Sequence, residues 1–203
     1  NNLPNKWVVM MTERLRIFAI TVTLVASLGG CEMATNTFDR VTSVWDKPLV
    51  YDCPDYRILK DAARLTEFKA GPGRDLVDVS VEASIPDAAL ECLTFVDSKT
   101  KTGYMEAQFT VALAARRGPA NKTKRATLPY FVSVTDKNRA VLYRETFKIA
   151  VRFSDNQNMV QTWGKLIKLE LPLRPDITSK DYIIFTGFAL NRTQLEYNRA
   201  QQW

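Results

Sequence analysis

From residue 77 to residue 153 the chain repeatedly alternates apolar and polar positions with a period of two. Val77, Val79, Val81, Ala83 and Ile85 interleave with Asp78, Ser80, Glu82 and Ser84. Met105, Ala107, Phe109, Val111, Leu113 and Ala115 interleave with Glu106, Gln108 and Thr110. Val141, Tyr143, Phe147, Ile149, Val151 and Phe153 alternate with Arg144, Thr146, Lys148 and Arg152. That pattern belongs to antiparallel strands with one buried and one solvated face. Shorter runs at 91–96, 128–135 and 167–173 and an apolar run at 182–190 predict further strands. Pro172 places its strand at an edge or an end. Pro86-Asp87, 97–103, 116–125, 136–139, 154–158 and 175–181 supply the turns. Residues 56–68 read equally as a helix, through Ile58, Leu59, Ala62 and Leu65, or as a strand opening at Leu65. Thr193 and Glu196 have capping-box spacing and predict a short C-terminal helix. About seven short strands with little helix predict an all-β chain, an antiparallel β-sandwich of immunoglobulin or fibronectin-III-like type. A small closed barrel is the alternative.

The first thirty residues follow a different rule. Arg14 and Arg16 precede an eleven-residue stretch, 17–27, in which Ile17, Phe18, Ala19, Ile20, Val22, Leu24, Val25 and Ala26 are apolar. This length suits the hydrophobic core of a signal peptide and falls short of the ~20 residues needed to span a bilayer. Residues 1–9 precede Met10 and Met11 and read as a spurious extension. Leu28-Gly29-Gly30-Cys31 then resembles the lipobox of bacterial lipoproteins, and that resemblance implies several things. Residues 1–30 would be a signal peptide removed before Cys31, and the Cys31 thiol would carry a diacylglycerol. Residues 31–55 would form a tether and residues 56–203 the sandwich domain. Glu32 stands where members of this class retained in the inner membrane carry Asp, which favours the outer membrane. An ordinary secretory signal or an uncleaved anchor are the alternatives, and neither needs a cysteine there.

Composition narrows the chemistry. A mature chain from Cys31 would have 173 residues, enough for one sizeable domain. Without Lys6, Arg14, Arg16 and Glu13 it would carry 25 basic and 21 acidic residues, a net of +4, so the high pI is poor evidence for a nucleic-acid partner. The chain has no histidine, the commonest general base and metal ligand. With Cys31 lipidated, Cys53 and Cys92 are an even pair in an oxidising compartment, where a disulfide is the default and two buried thiols the alternative.

Candidate sites are few. Arg116, Arg117, Lys122, Lys124 and Arg125 form a basic loop free of acidic residues, suited to anionic headgroups or an acidic partner, or simply to solvation. Phe131 and Trp163 are aromatics that could stack on a sugar or a partner, or fill the core edge. Asp78 with Glu82, and Asp97 with Glu106, are the carboxylate pairs a glycosidase would need. No nucleophile elbow, triad or phosphate loop is legible, so no catalytic role, metal or cofactor beyond the covalent lipid is expected. Asn121-Lys-Thr123 and Asn191-Arg-Thr193 match the glycosylation pattern, which means little in a bacterial lipoprotein. Asp61-Ala-Ala-Arg-Leu-Thr66, Pro72-Gly73-Arg74-Asp75 and Leu195-Glu196-Tyr197-Asn198-Arg199 resemble a set of small, uncharacterised proteobacterial lipoproteins, and that resemblance carries no activity across. The expectation is therefore a membrane-tethered, non-catalytic module docking onto another envelope protein, with a glycan- or lipid-binding cleft as the alternative.

Overall fold

The computed structural model describes residues 49–201; the lipobox and Cys31 lie outside them. The described chain is an all-β sandwich with nine strands, two more than the alternation alone suggests, and one short C-terminal helix. One sheet has the order β1 (Asp55–Ile58), β9 (Tyr182–Phe188), β5 (Arg125–Asp136), β6 (Val141–Arg152). The other runs β2 (Arg64–Phe68), β3 (Val79–Val96), β4 (Gly103–Arg117), with β7 (Met159–Trp163) and β8 (Ile167–Leu173) sharing the far edge of β4. A hairpin into one sheet, a hairpin into the other, then a return and a crossing is the alternation of an immunoglobulin-like sandwich. The edge beside β9, which such folds fill with their last strand running antiparallel, is held here by β1 running parallel.

The inward residues of both sheets form one core. Phe109, Met105, Val111, Leu128, Val132 and Ile184 are fully buried, and Tyr130 and Phe153 nearly so. Each such side chain contributes roughly 1.5–3 kcal/mol of transfer free energy.

Three predicted breaks turn out differently. Pro86 and Asp87 do not end a strand. They sit in a bulge within one continuous β3, where the register shifts between Ser84 and Asp87. Proline has no N–H to give to a ladder, and a bulge removes the demand for one. The bulge also switches the buried parity, from Val81, Ala83 and Ile85 to Ala88. Residues 56–68 resolve into β1, a single 3-10 turn at Lys60–Ala62, and β2: the strand reading holds from Arg64, and the helix through Ile58, Leu59, Ala62 and Leu65 does not form. The helix α1 (Arg192–Ala200) starts two residues earlier than the Thr193 box implies. Asn191 is its cap, accepting from the Gln194 N–H while the Gln194 side chain accepts from the Asn191 N–H.

β7 and β8 are one edge interrupted at Gly164. The Tyr130 hydroxyl rises from the opposite sheet and accepts the Lys165 N–H at 3.1 Å. A Cβ on Gly164 would lie 2.6 Å from that oxygen, so only glycine lets the tyrosine through.

Candidate functional site

The two flanks of the sandwich are built differently. On one, Cys53 and Cys92 form a disulfide with Cα atoms 5.6 Å apart, joining the segment that enters β1 to β3 of the facing sheet. The Tyr56 ring meets Phe109 of β4 edge-on at 5.8 Å. α1 adds a further tie: buried Asn198 donates to the carbonyls of Asp61 and Arg64 at 2.9 and 2.8 Å.

The opposite flank, between β6 and β8, stays open as a cleft of about 610 Å³. Its floor is Val134 of β5 with Leu169 and Leu171 of β8, and Tyr143 and Tyr182 stand at its walls. Local sequence explains each wall. The Asp136 carboxylate accepts the Ala140 N–H and closes the β5–β6 turn, with Arg139 in the left-handed region at φ 68°. Just past it the β5–β6 register slips, pairing Val134 with Tyr143 but Thr135 with Val141. Leu142 is the extra residue, and the bulge re-aims it to line the cleft while it remains 56% exposed. On the other wall, Arg174 and Ile177 exchange backbone hydrogen bonds of 2.9 and 3.1 Å around Pro175-Asp176. The Thr178 N–H then donates to the Asp181 carboxylate.

Both tyrosine hydroxyls are occupied. Tyr182 donates to the Pro172 carbonyl at 2.7 Å, and Tyr143 donates to the Glu145 carboxylate. Burial, and then the adjacent Glu145, push the Tyr143 hydroxyl up to about 12. The Thr178 N–H, and after it the Lys137 ammonium at 3.1 Å, hold Asp181 below the usual carboxylate range. Lys168 is likewise engaged by Glu106. Arg174, Glu170 and Asp176 have no ion-pair partner among the described residues.

A second groove of about 620 Å³ lies between β2 and α1, where the Phe68 ring meets Tyr197 edge-on at 5.3 Å and carries Arg74 over its face at 5.2 Å. Glu67 lines it, its carboxyl raised by burial.

The residues singled out from sequence fare unevenly. The basic loop is not free of negative charge in space. Arg116 pairs with Glu82, Lys124 pairs with Asp155, and Arg117 donates twice to the Asn158 side chain at 2.8 and 3.1 Å. Those acids come from β3 and the loop before β7, so the charges left in the patch are Arg117, held by a neutral amide, with Lys122 and Arg125. Phe131 is buried beneath the Arg144 guanidinium, 4.0 Å from the ring centroid, and offers no stacking face. Trp163 ends β7 and is 55% exposed. The candidate carboxylates have separate structural partners. Asp78 pairs with Lys69 at 2.7 Å, Asp97 accepts the N–H groups of its own turn, and Glu106 accepts from Gln108 and Lys168. Asn121 and Asn191 order a turn and cap α1. Among the described residues no cluster of Cys, Asp and Glu could hold a metal ion, and no helix is long and apolar enough to cross a membrane.

The outer face of the β2–β3–β4–β8 sheet carries an apolar row that sequence reading passed over. Phe95, Tyr104 and Pro172 stand in register across β3, β4 and β8, with Leu93 beside them. The two rings stack at 5.0 Å, and Leu93 and Phe95 are about half exposed. The signal was the outward parity of Leu93 and Phe95 on the half of β3 beyond the Pro86 bulge, where even positions face in.

No protein-family model matches the chain, and no curated protein sequence does. One solved structure with a resemblance is the variable (V) domain of the AgI/II polypeptide BspA of Streptococcus agalactiae. It is 11% identical over 64% of this chain and 73% of that one, with a TM-score of 0.17, a level that carries no argument.

Proposed function

We propose that the chain is a lipid-anchored lipoprotein of the bacterial cell envelope, held at Cys31 by diacylglycerol and facing the periplasm, in the outer membrane rather than the inner. Its sandwich acts as a non-catalytic docking module for another envelope protein. The lipobox-like Leu28-Gly29-Gly30-Cys31 and the Cys53–Cys92 disulfide support the compartment, since such bridges persist where the surroundings are oxidising. The observation that carries docking is the row Leu93, Phe95, Tyr104 and Pro172, a contiguous apolar strip on an otherwise polar sheet face.

Crosslinked pull-down from native membranes tests this. Wild type brings down a defined envelope complex, Phe95→Ser with Tyr104→Ser loses it, and Cys31→Ser fails to fractionate with membranes. A complex retained by the double variant, or unlipidated protein fractionating like wild type, removes the docking face or the anchor respectively.

A second reading, a ligand-binding lipoprotein, has its own support in the cleft between β6 and β8. Its volume lies within the ~300–1,000 Å³ typical of small-molecule sites, and its floor is apolar.

A further inference from the structure

The cleft has a directional chemistry. Its floor, Val134, Leu169 and Leu171, is aliphatic, and Leu142 extends that surface at the mouth. A sugar needs hydrogen-bonding groups beneath it, yet the two tyrosine hydroxyls on the walls are engaged by Pro172 and Glu145. The unpaired charges lie together at one end. Arg174 and Asp176 come from a single tight turn, two residues apart without pairing. Lys137 and Lys168, the other cations of the rim, are already neutralised by Asp181 and Glu106.

An aliphatic slot ending in one free cation and one free carboxylate is complementary to a chain that ends in both signs of charge. We propose that the cleft binds a single-chain zwitterionic amphiphile of the lysophospholipid kind. The acyl chain lies on Leu169, Leu171 and Val134 between the β6 and β8 edges. The phosphate is held by Arg174, a guanidinium suited to bidentate oxyanion contacts, and the ammonium by Asp176. This rests on the ligand-binding reading; the docking row lies on the outer face of one sheet and shares Pro172 with the cleft.

Dodecylphosphocholine below its micelle concentration, titrated into the full chain carrying Cys31→Ser, is the test. Dodecyl maltoside, dodecyl phosphate and chainless phosphocholine serve as comparators, and NMR and calorimetry as readouts. The expected result is saturable one-to-one binding of dodecylphosphocholine in preference to the other three, with shifts at Leu142, Leu169, Leu171 and Tyr143. Leu142→Asp weakens it on the order of tenfold or more by placing a charge against the chain. Arg174→Gln abolishes the preference over dodecyl maltoside, and Phe95→Ser changes nothing. Because Leu142 is largely exposed, its variant keeps the wild-type thermal transition; Arg174→Gln, altering an exposed side chain, gives an independent reading. Equal affinity for the three dodecyl probes overturns the zwitterionic assignment while leaving a cleft for apolar ligands. No saturable binding by any of them, or shifts centred on Phe95 and Tyr104, overturns both.

Discussion

The two flanks of this sandwich meet the same problem with opposite solutions. Where β1 and β3 face each other, the gap between sheets is closed by a covalent bridge, an edge-on Tyr56–Phe109 contact and a helix whose Asn198 secures the connecting turn. Where β6 and β8 face each other, no such bridge exists among the described residues, and the core side chains Leu169 and Leu171 floor an open cleft. The difference follows from chain order. The closed flank receives the segment that leads into β1, and β1 is only four residues long, too short to hold β9 by ladder bonds alone. The open flank is bounded by the β5–β6 hairpin and by β8, laddered along its whole length to β4, and neither needs a clip. One flank is reinforced and the other is available, and the account assigns stability to the first and binding to the second.

Several substitutions break or sharpen that contrast. The largest expected effect is from Cys53→Ser with Cys92→Ser. The bridge spans 39 residues, and losing it costs about 2–4 kcal/mol in chemical denaturation. Asn198→Ala leaves two carbonyls unsatisfied beneath α1 and costs about 1–3 kcal/mol by the same measurement. Asp78 gives a pH signature on the closed flank. Its hydrogen bond with Lys69, and then the Asp75 N–H, lower its carboxyl, so folding favours the ionised form. That stabilisation is fully present above the unfolded carboxylate range and is lost as pH falls through the lowered folded value. In acid titrations followed by circular dichroism, Asp78→Asn is therefore less stable than wild type near neutrality and converges with it in acid. The smallest stability effect is on the open flank, where Leu142→Asp shifts unfolding by within about 0.5 kcal/mol. If Leu142→Asp destabilises as much as Asn198→Ala, the open flank is structural and the contrast fails.

What was legible in sequence follows the same division. Strands β4, β5, β6, β8 and β9 showed themselves because each keeps an apolar face or run in register. The disulfide was legible because Cys53 and Cys92 were the only cysteines left once Cys31 was assigned to a lipid. β3 was read as two strands because the bulge at Pro86 switches its parity, and a period-two pattern has no term for an inserted residue. β7 offered only Val160 and Thr162 as inward positions, too few for periodicity. The basic loop looked uncompensated because its acids, Glu82 and Asp155, lie 34 and 31 residues away from their partners. The cleft was the least visible feature. It depends on strand edges that the chain brings together only in three dimensions, on the Leu142 bulge, and on a turn at Arg174–Ile177 that reads as ordinary loop.

The most direct test of the contrast is native-state hydrogen exchange on the full chain carrying Cys31→Ser, with and without dodecylphosphocholine below its micelle concentration. The account predicts that amides of β9, β3 and residues 61–65 exchange near the global unfolding limit in both conditions. Amides of residues 137–143 and 174–178 exchange faster without ligand and gain protection with it. Uniformly high protection across both flanks without ligand, or ligand protection appearing around Cys53, Cys92 and α1 instead, would contradict it.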